Sequence, residues 1–215
     1  MKRTAWWCGL ALIIAMAGKA PWLYPQAKEA GGKPAQPAAA KKKAAGPSPE
    51  EMMAAVAKYG TPGEAHKRLN VLAGSWNAQA RFWEPGSETA GETKGTSEKK
   101  WILDGRFLYD DYKSEYMGKP FVGMGLTGYD NLKGQYIGVW GDSMSTSLWV
   151  GQGKADASGK VITLAGIFDD PVKKKKVNVR AITRIIDDNK HIFEWHEPGP
   201  DGKERKALEV TYTRK

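Results

Sequence analysis

Between residues 121 and 153 apolar and aromatic residues recur with small ones between them. Two turn clusters, Asp130-Asn131-Leu132-Lys133-Gly134 and Asp142-Ser143-Met144-Ser145, divide the run at hairpin spacing. This pattern predicts three consecutive antiparallel strands, and the rest of the second half repeats it. After Gly74 ten strands are expected, over 75–83, 92–101, 106–116, 121–129, 135–141, 146–153, 160–168, 174–187, 190–197 and 204–214. Turn chemistry at 156–159, 187–190 and 198–202 separates the later ones. A meander this long exposes its edges unless it closes on itself, so the expected fold class is all-β, an antiparallel up-and-down barrel of about ten strands. Barrels of about that size enclose room for one small ligand.

Ahead of the strands the period changes. Ser48-Pro49-Glu50-Glu51 combines an N-cap, a proline at the first helical position and an acidic third residue, and Met52, Val56 and Tyr59 form an i, i+4, i+7 stripe ending at Gly60. Thr61-Pro62-Gly63-Glu64 repeats the capping pattern, with Ala65, Leu69 and Leu72 as the apolar face of a second helix that Ala73-Gly74 stop. The folded domain is therefore expected to span 48–215, two short helices and then the barrel.

Turn lengths fix strand registers. A four-residue loop at 131–134 places Tyr129 opposite Tyr136, Gly125 opposite Trp140 and Gly123 opposite Asp142. A strand glycine costs roughly 0.5–1 kcal/mol relative to alanine, so two of them facing a tryptophan and an aspartate mark either a packing site for the ring or room for a ligand. A slip of one residue would instead turn Val122, Met124, Leu126, Ile137 and Val139 inward. In the same way a two-residue turn at Asp188-Asn189 sets Arg180 across from Glu197, with Trp195 and Ile182 between them. That pair is either a solvent-facing ion pair or the polar end of a cavity in which Arg180 meets an anionic group.

The tail alters the reading of compartment. Lys2 and Arg3 precede an apolar run over 4–17 that ends in Ala15-Met16-Ala17, the plan of a signal peptide over 1–17, which Pro21-Trp22-Leu23-Tyr24 would prolong if it stayed as a membrane anchor. Export to the periplasm or beyond follows, with a membrane tether through the N-terminus as the variant. Residues 18–47 reduce to Ala, Lys, Pro, Gly and Gln and read as a disordered tether. Of the formal charge of +9, residues 1–63 carry +6, leaving a near-balanced domain that gives no reason to expect a nucleic-acid partner. Cys8, the single cysteine, lies in the signal, so cleavage after Ala17 leaves the mature chain with no thiol for disulfides, catalysis or metal.

Catalytic chemistry is sparse. Asp142, Glu194 and Glu197 are available carboxylates and His191 and His196 available proton carriers, but no nucleophile elbow, phosphate loop, zinc motif or dinucleotide fingerprint is present. His66 on the second helix has no partner at metal spacing. No catalytic residue, metal or cofactor is therefore assigned. A haem-binding barrel using His191 or His196 as axial ligand, an enzyme, and an envelope interaction module without ligand are the alternatives.

At Gly74-Ser75-Trp76 the chain resembles lipocalins and the wider calycins, in which a Gly-x-Trp opens the first strand and a basic residue near the end of the last, here Arg214, closes the barrel over the tryptophan. In those folds such residues are structural, which implies that role for Gly74, Trp76 and Arg214. Ser48-Pro49-Glu50-Glu51-Met52, His66 with Leu69 and Leu72, Gly128-Tyr129-Asp130, Trp140 with Asp142-Ser143, Gly151 and Thr211-Tyr212-Thr213-Arg214 resemble the bacterial family called domain of unknown function 1579. The resemblance covers nearly everything after the tether, implies a lipocalin-like barrel and brings no activity. Where family members carry a Thr-Gly turn after the Asp-Pro, this chain has Val172-Lys173-Lys174-Lys175-Lys176. The combined expectation is a non-catalytic barrel that binds a small apolar or amphipathic molecule through Tyr129, Trp140, Asp142, Arg180 and Trp195.

Overall fold

The computed structural model describes residues 46–171 and 174–215. The expected signal over 1–17, nearly all of the expected tether over 18–47 and Val172-Lys173 lie outside the described residues. Ten strands form one sheet: β1 Gly74–Phe82, β2 Gly91–Ile102, β3 Phe107–Tyr116, β4 Lys119–Asp130, β5 Gln135–Asp142, β6 Trp149–Ala155, β7 Val161–Asp170, β8 Lys175–Asp187, β9 Lys190–Pro198 and β10 Glu204–Arg214. Each pairs antiparallel with its neighbour in sequence, and β1 pairs with β10, so the meander closes into a barrel with no free edge.

Helix α1, Pro49–Gly60, begins as its sequence dictates. The Glu51 N–H donates to Ser48 Oγ at 3.2 Å and the Ser48 N–H to Glu51 Oε2 at 2.7 Å, with Pro49 in the first turn. Its apolar stripe stays in solvent: Met52, Val56 and Tyr59 are all exposed. The helix is held by its end, where Asn131 Nδ2 donates to the carbonyls of Tyr59 and Thr61. The second helix is shorter than its pattern predicts, a single turn α2, Glu64–Lys67, running into a 3-10 turn over Arg68–Leu72. Thr61 does not cap it, because its hydroxyl donates back to the Ala57 carbonyl of α1. The capping acceptor is His66 Nδ1, which receives the Gly63 N–H at 3.1 Å, and His66 is buried rather than on the surface.

This short helical segment plugs one end of the barrel. Leu69 and Leu72 are buried in the core, and Tyr136 donates to the Ala65 carbonyl. Trp76 is fully buried and its Nε1–H donates to the Leu72 carbonyl at 2.9 Å. Arg214 lies 4.2 Å above the Trp76 ring and donates to the carbonyls of Val71, Ala73 and Asp188. Gly74 sits at φ 117°, and a β-carbon there would meet the Arg214 guanidinium at 2.6 Å. Backbone conformation and close approach thus both demand glycine. Trp76, Gly74 and Arg214 together seal the closed end.

The β4–β5 register is the one set by the 131–134 loop: Tyr129 faces Tyr136, Gly125 faces Trp140 and Gly123 faces Asp142. The slipped register is excluded, with Val122 on the outer surface. The β8–β9 register differs from expectation. A bulge between Ile185 and Asp187 inserts one residue, so Arg180 faces His196 and Ala181 faces Trp195. One residue of shift moves Arg180 to the opposite face from Trp195.

Candidate functional site

Away from the plug the barrel is open. A cavity of about 440 Å³ runs from the mouth, at the C-terminal ends of β1, β3, β5, β7 and β9, down to a floor formed by His191 and Tyr212. Its walls are largely apolar, with Trp140, Trp149, Trp195, Phe193, Leu164 and Val210 among them. The volume falls in the range of small-molecule sites.

The strand glycines prove to be seats for rings. A β-carbon at Gly123 would overlap the Trp140 indole, and one at Gly125 would touch it at 3.4 Å. Trp149 lies in the same way against Gly151 and Gly166, with Gly138 beneath its edge. The room these glycines leave is therefore filled by indole, and the cavity lies on the inner side of those rings. Trp195 packs edge-on to Trp149 at 5.0 Å, and Trp140, Trp149 and Trp195, from β5, β6 and β9, all line the cavity. At the mouth Trp140 Nε1–H donates to Asp142 Oδ2 at 2.9 Å while Asp142 Oδ1 accepts the Met144 N–H. Asp142 thereby ties the wall to the Ser-rich loop whose Ser145 and Ser147 border the opening.

Deeper in, one wall carries charge. Lys99 on β2 faces Asp110 on β3 and the two form an ion pair with side chains only 10% and 14% exposed. The other Asp110 oxygen accepts the Ser97 hydroxyl at 2.6 Å. The Lys99 ammonium also stands 4.7 Å from the Tyr212 ring centre, Tyr212 stacks on His191 at 4.4 Å, and His191 meets Trp76 edge-on at 4.4 Å. Burial, then the nearby charges of Lys99 and Arg214, push the His191 imidazole down to a pKa of about 2, so it is neutral at any physiological pH. Its Nδ1 is buried without a hydrogen-bond partner among the described residues. Burial also raises the Tyr112 and Tyr212 phenols, which therefore remain protonated.

Of the residues singled out from sequence, Trp140, Asp142 and Trp195 border the cavity. Tyr129 points inward but below the floor, packed against Tyr136 at 5.0 Å and His66 at 5.9 Å, and does not line the cavity. Arg180 is a correction: the β8 bulge turns it outward, where it makes a bidentate pair with Glu204 at 2.7 and 2.5 Å and holds that carboxyl below its ordinary pKa. Glu197 pairs with Arg205 instead. His196 is also outside the cavity, between Glu194 and Glu204, so of the two histidines considered as haem ligands only His191 borders the interior. The three carboxylates considered for acid/base chemistry do not converge: Asp142 is at the mouth, while Glu194 is held on the outer face by Arg184 and His196. The sequence reading missed the Lys99–Asp110–Ser97 cluster. The signal was available, since a four-residue turn at 103–106 sets Lys99 opposite Asp110 and Ser97 opposite Tyr112.

Comparison with known proteins gives fold rather than activity. No curated protein sequence matches the chain. The crystal structure of Rv2717c from M. tuberculosis aligns with a TM-score of 0.55 at 18% identity, over 72% of this chain and 99% of that one. Two further barrels align with lower scores: a redesigned β-barrel (TM-score 0.35, 12% identity, 70% of this chain and 95% of that one) and EF1p2_mFAP2b bound to DFHBI (0.37, 11%, 71% and 100%). The family described as protein of unknown function (DUF1579) matches residues 61–214, which takes in every strand and the plug. The chain belongs to the DUF1579 family, and within it is a closed ten-stranded antiparallel barrel behind an N-terminal helix.

Proposed function

We propose that this protein is an exported, non-catalytic binder of one small apolar or amphipathic molecule, held inside the barrel. The observation that carries the reading is the open cavity of about 440 Å³ with its wall of three tryptophans. A purely structural module gains nothing from such a void, because unfilled apolar volume costs roughly 24 cal/mol per Å³. Lining chemistry sets the ligand's character: broad aromatic faces for an apolar body and a few polar groups for orientation. Asp142 at the mouth stands apart from the Glu194–His196 pair on the outer face, and that separation supports binding without chemistry. Export rests on Lys2, Arg3 and the apolar run over 4–17.

The test is tryptophan-excited energy transfer to N-phenyl-1-naphthylamine, an uncharged apolar fluorophore. Saturable one-to-one transfer is expected, and Trp140→Phe should weaken it while far-ultraviolet circular dichroism stays unchanged. An absence of saturable binding, or binding insensitive to Trp140, Trp149 and Trp195 alike, would overturn the proposal.

A further inference from the structure

We infer that the blind end of the cavity is an anion subsite centred on Lys99, so that the ligand is an amphipath carrying one carboxylate- or sulfonate-type group on an apolar body. The inference rests on the binding function proposed above and specifies its ligand. An ammonium has three N–H donors and no acceptor. Among the described residues the Lys99 ammonium has one hydrogen-bond acceptor, Asp110, and it borders the cavity. Asp110 shares its charge with a second donor, the Ser97 hydroxyl. A second cation lies behind the floor. Arg214 donates only to the carbonyls of Val71, Ala73 and Asp188, with no carboxylate partner among the described residues.

Two cations therefore act on the blind end against one carboxylate, in apolar surroundings where charge is poorly screened. Burial depresses the His191 pKa and the same two cations lower it further. The remaining cavity carboxylates, Glu115 and Asp142, stand at the ends of β3 and β5 on the mouth. The field thus favours negative charge deep and not at the opening. An anionic group entering first would reach a free Lys99 N–H, and its apolar body would lie along Trp140 and Trp195. Scaling from the 150 Å³ apolar cavity that accepts benzene, 440 Å³ accommodates about 18 non-hydrogen atoms.

The test compares two fluorophores on the full chain: 8-anilinonaphthalene-1-sulfonate and its uncharged parent N-phenyl-1-naphthylamine. A charge-assisted hydrogen bond predicts that the sulfonate binds at least about tenfold more tightly. In a Lys99→Met, Asp110→Asn double variant, which leaves neither member of the pair as an unpaired buried charge, that preference should collapse to within about twofold. Should the double variant fail to fold, displacement of the uncharged probe from the unmodified protein decides the matter: decanoate should compete at least about tenfold better than decanol. Equal affinity of charged and uncharged members of either pair, or a preference that survives the double variant, overturns the anion subsite and leaves the binding function standing. Failure of both fluorophores to bind overturns the function itself.

Discussion

Replacing His191 by phenylalanine should flatten the dependence of stability on pH in mildly acidic solution. His191 is 3% exposed, between Trp76 and Tyr212, and is held neutral down to about pH 2 by burial and by the charges of Lys99 and Arg214. In the unfolded chain the same imidazole takes up its proton near 6.5. Below that value the unfolded state binds a proton that the folded state refuses, so stability is fully present above it and is lost as pH falls. The slope approaches 2.303RT, about 1.4 kcal/mol per pH unit, which amounts to about 2.5 kcal/mol between about pH 7.5 and 4.5. Burial also lowers the pKa of His66 and adds a slope of the same sign, so the difference between wild type and His191→Phe isolates the floor residue. Urea unfolding across this range is the assay. The readout is the slope, since the substitution also changes the absolute stability. Parallel profiles for the two proteins would refute the argument, because they would mean that the folded state admits a proton at His191 or water at the floor.

Trp76→Ala should cost about 3–5 kcal/mol, because the ring is fully buried and its removal also takes the Nε1–H donor from the Leu72 carbonyl and the ring face from under Arg214; an unchanged melting curve would contradict its closing role. Gly123→Ala should drive the Trp140 indole off its seat at a cost of about 1–3 kcal/mol, seen as altered near-ultraviolet circular dichroism together with weaker probe binding; a neutral variant would mean that the glycine is not there for the ring. Asp110→Ala should destabilise by about 3–5 kcal/mol, and the Lys99→Met, Asp110→Asn double variant by clearly less, because only the first leaves a buried charge unpaired. On our proposal of a tether over 18–47, limited proteolysis of the full chain should stop at a core beginning near Ser48; cuts scattered through the strands would oppose it.

Much of the fold was legible because its signals are local. Alternation and turn chemistry located all ten strands, and the 131–134 loop set the β4–β5 register because Gly134, at φ 65°, closes the turn onto the Asp130 carbonyl. What failed was non-local. The bulge at Ile185/Asp187 leaves no mark in the turn sequence, yet it shifts β9 against β8 and so separates Arg180 from the face of Trp195. The α1 stripe has a helix's period without a partner, since amphipathicity records what a helix can bury and not what it meets. The capping role of His66 was not legible, because accepting the Gly63 N–H depends on a glycine cap that has no side chain to offer. Lys99 and Asp110 were passed over because charged residues on strands normally read as outward-facing, although Ser97 opposite Trp76 already sets their face inward. The family resemblance drew attention to Gly74, Trp76 and Arg214, which lie together at the closed end, and brought no activity with it.

The central claim is that the barrel is built around a ligand and not merely closed around a void. Native mass spectrometry of the protein purified from its own host under non-denaturing conditions tests it most directly. The expected spectrum carries a bound species of a few hundred daltons, as the scaled size of about 18 non-hydrogen atoms implies, lost on unfolding and displaced by an apolar probe. A spectrum showing only the bare chain, from protein that also fails to bind the probe, would contradict it.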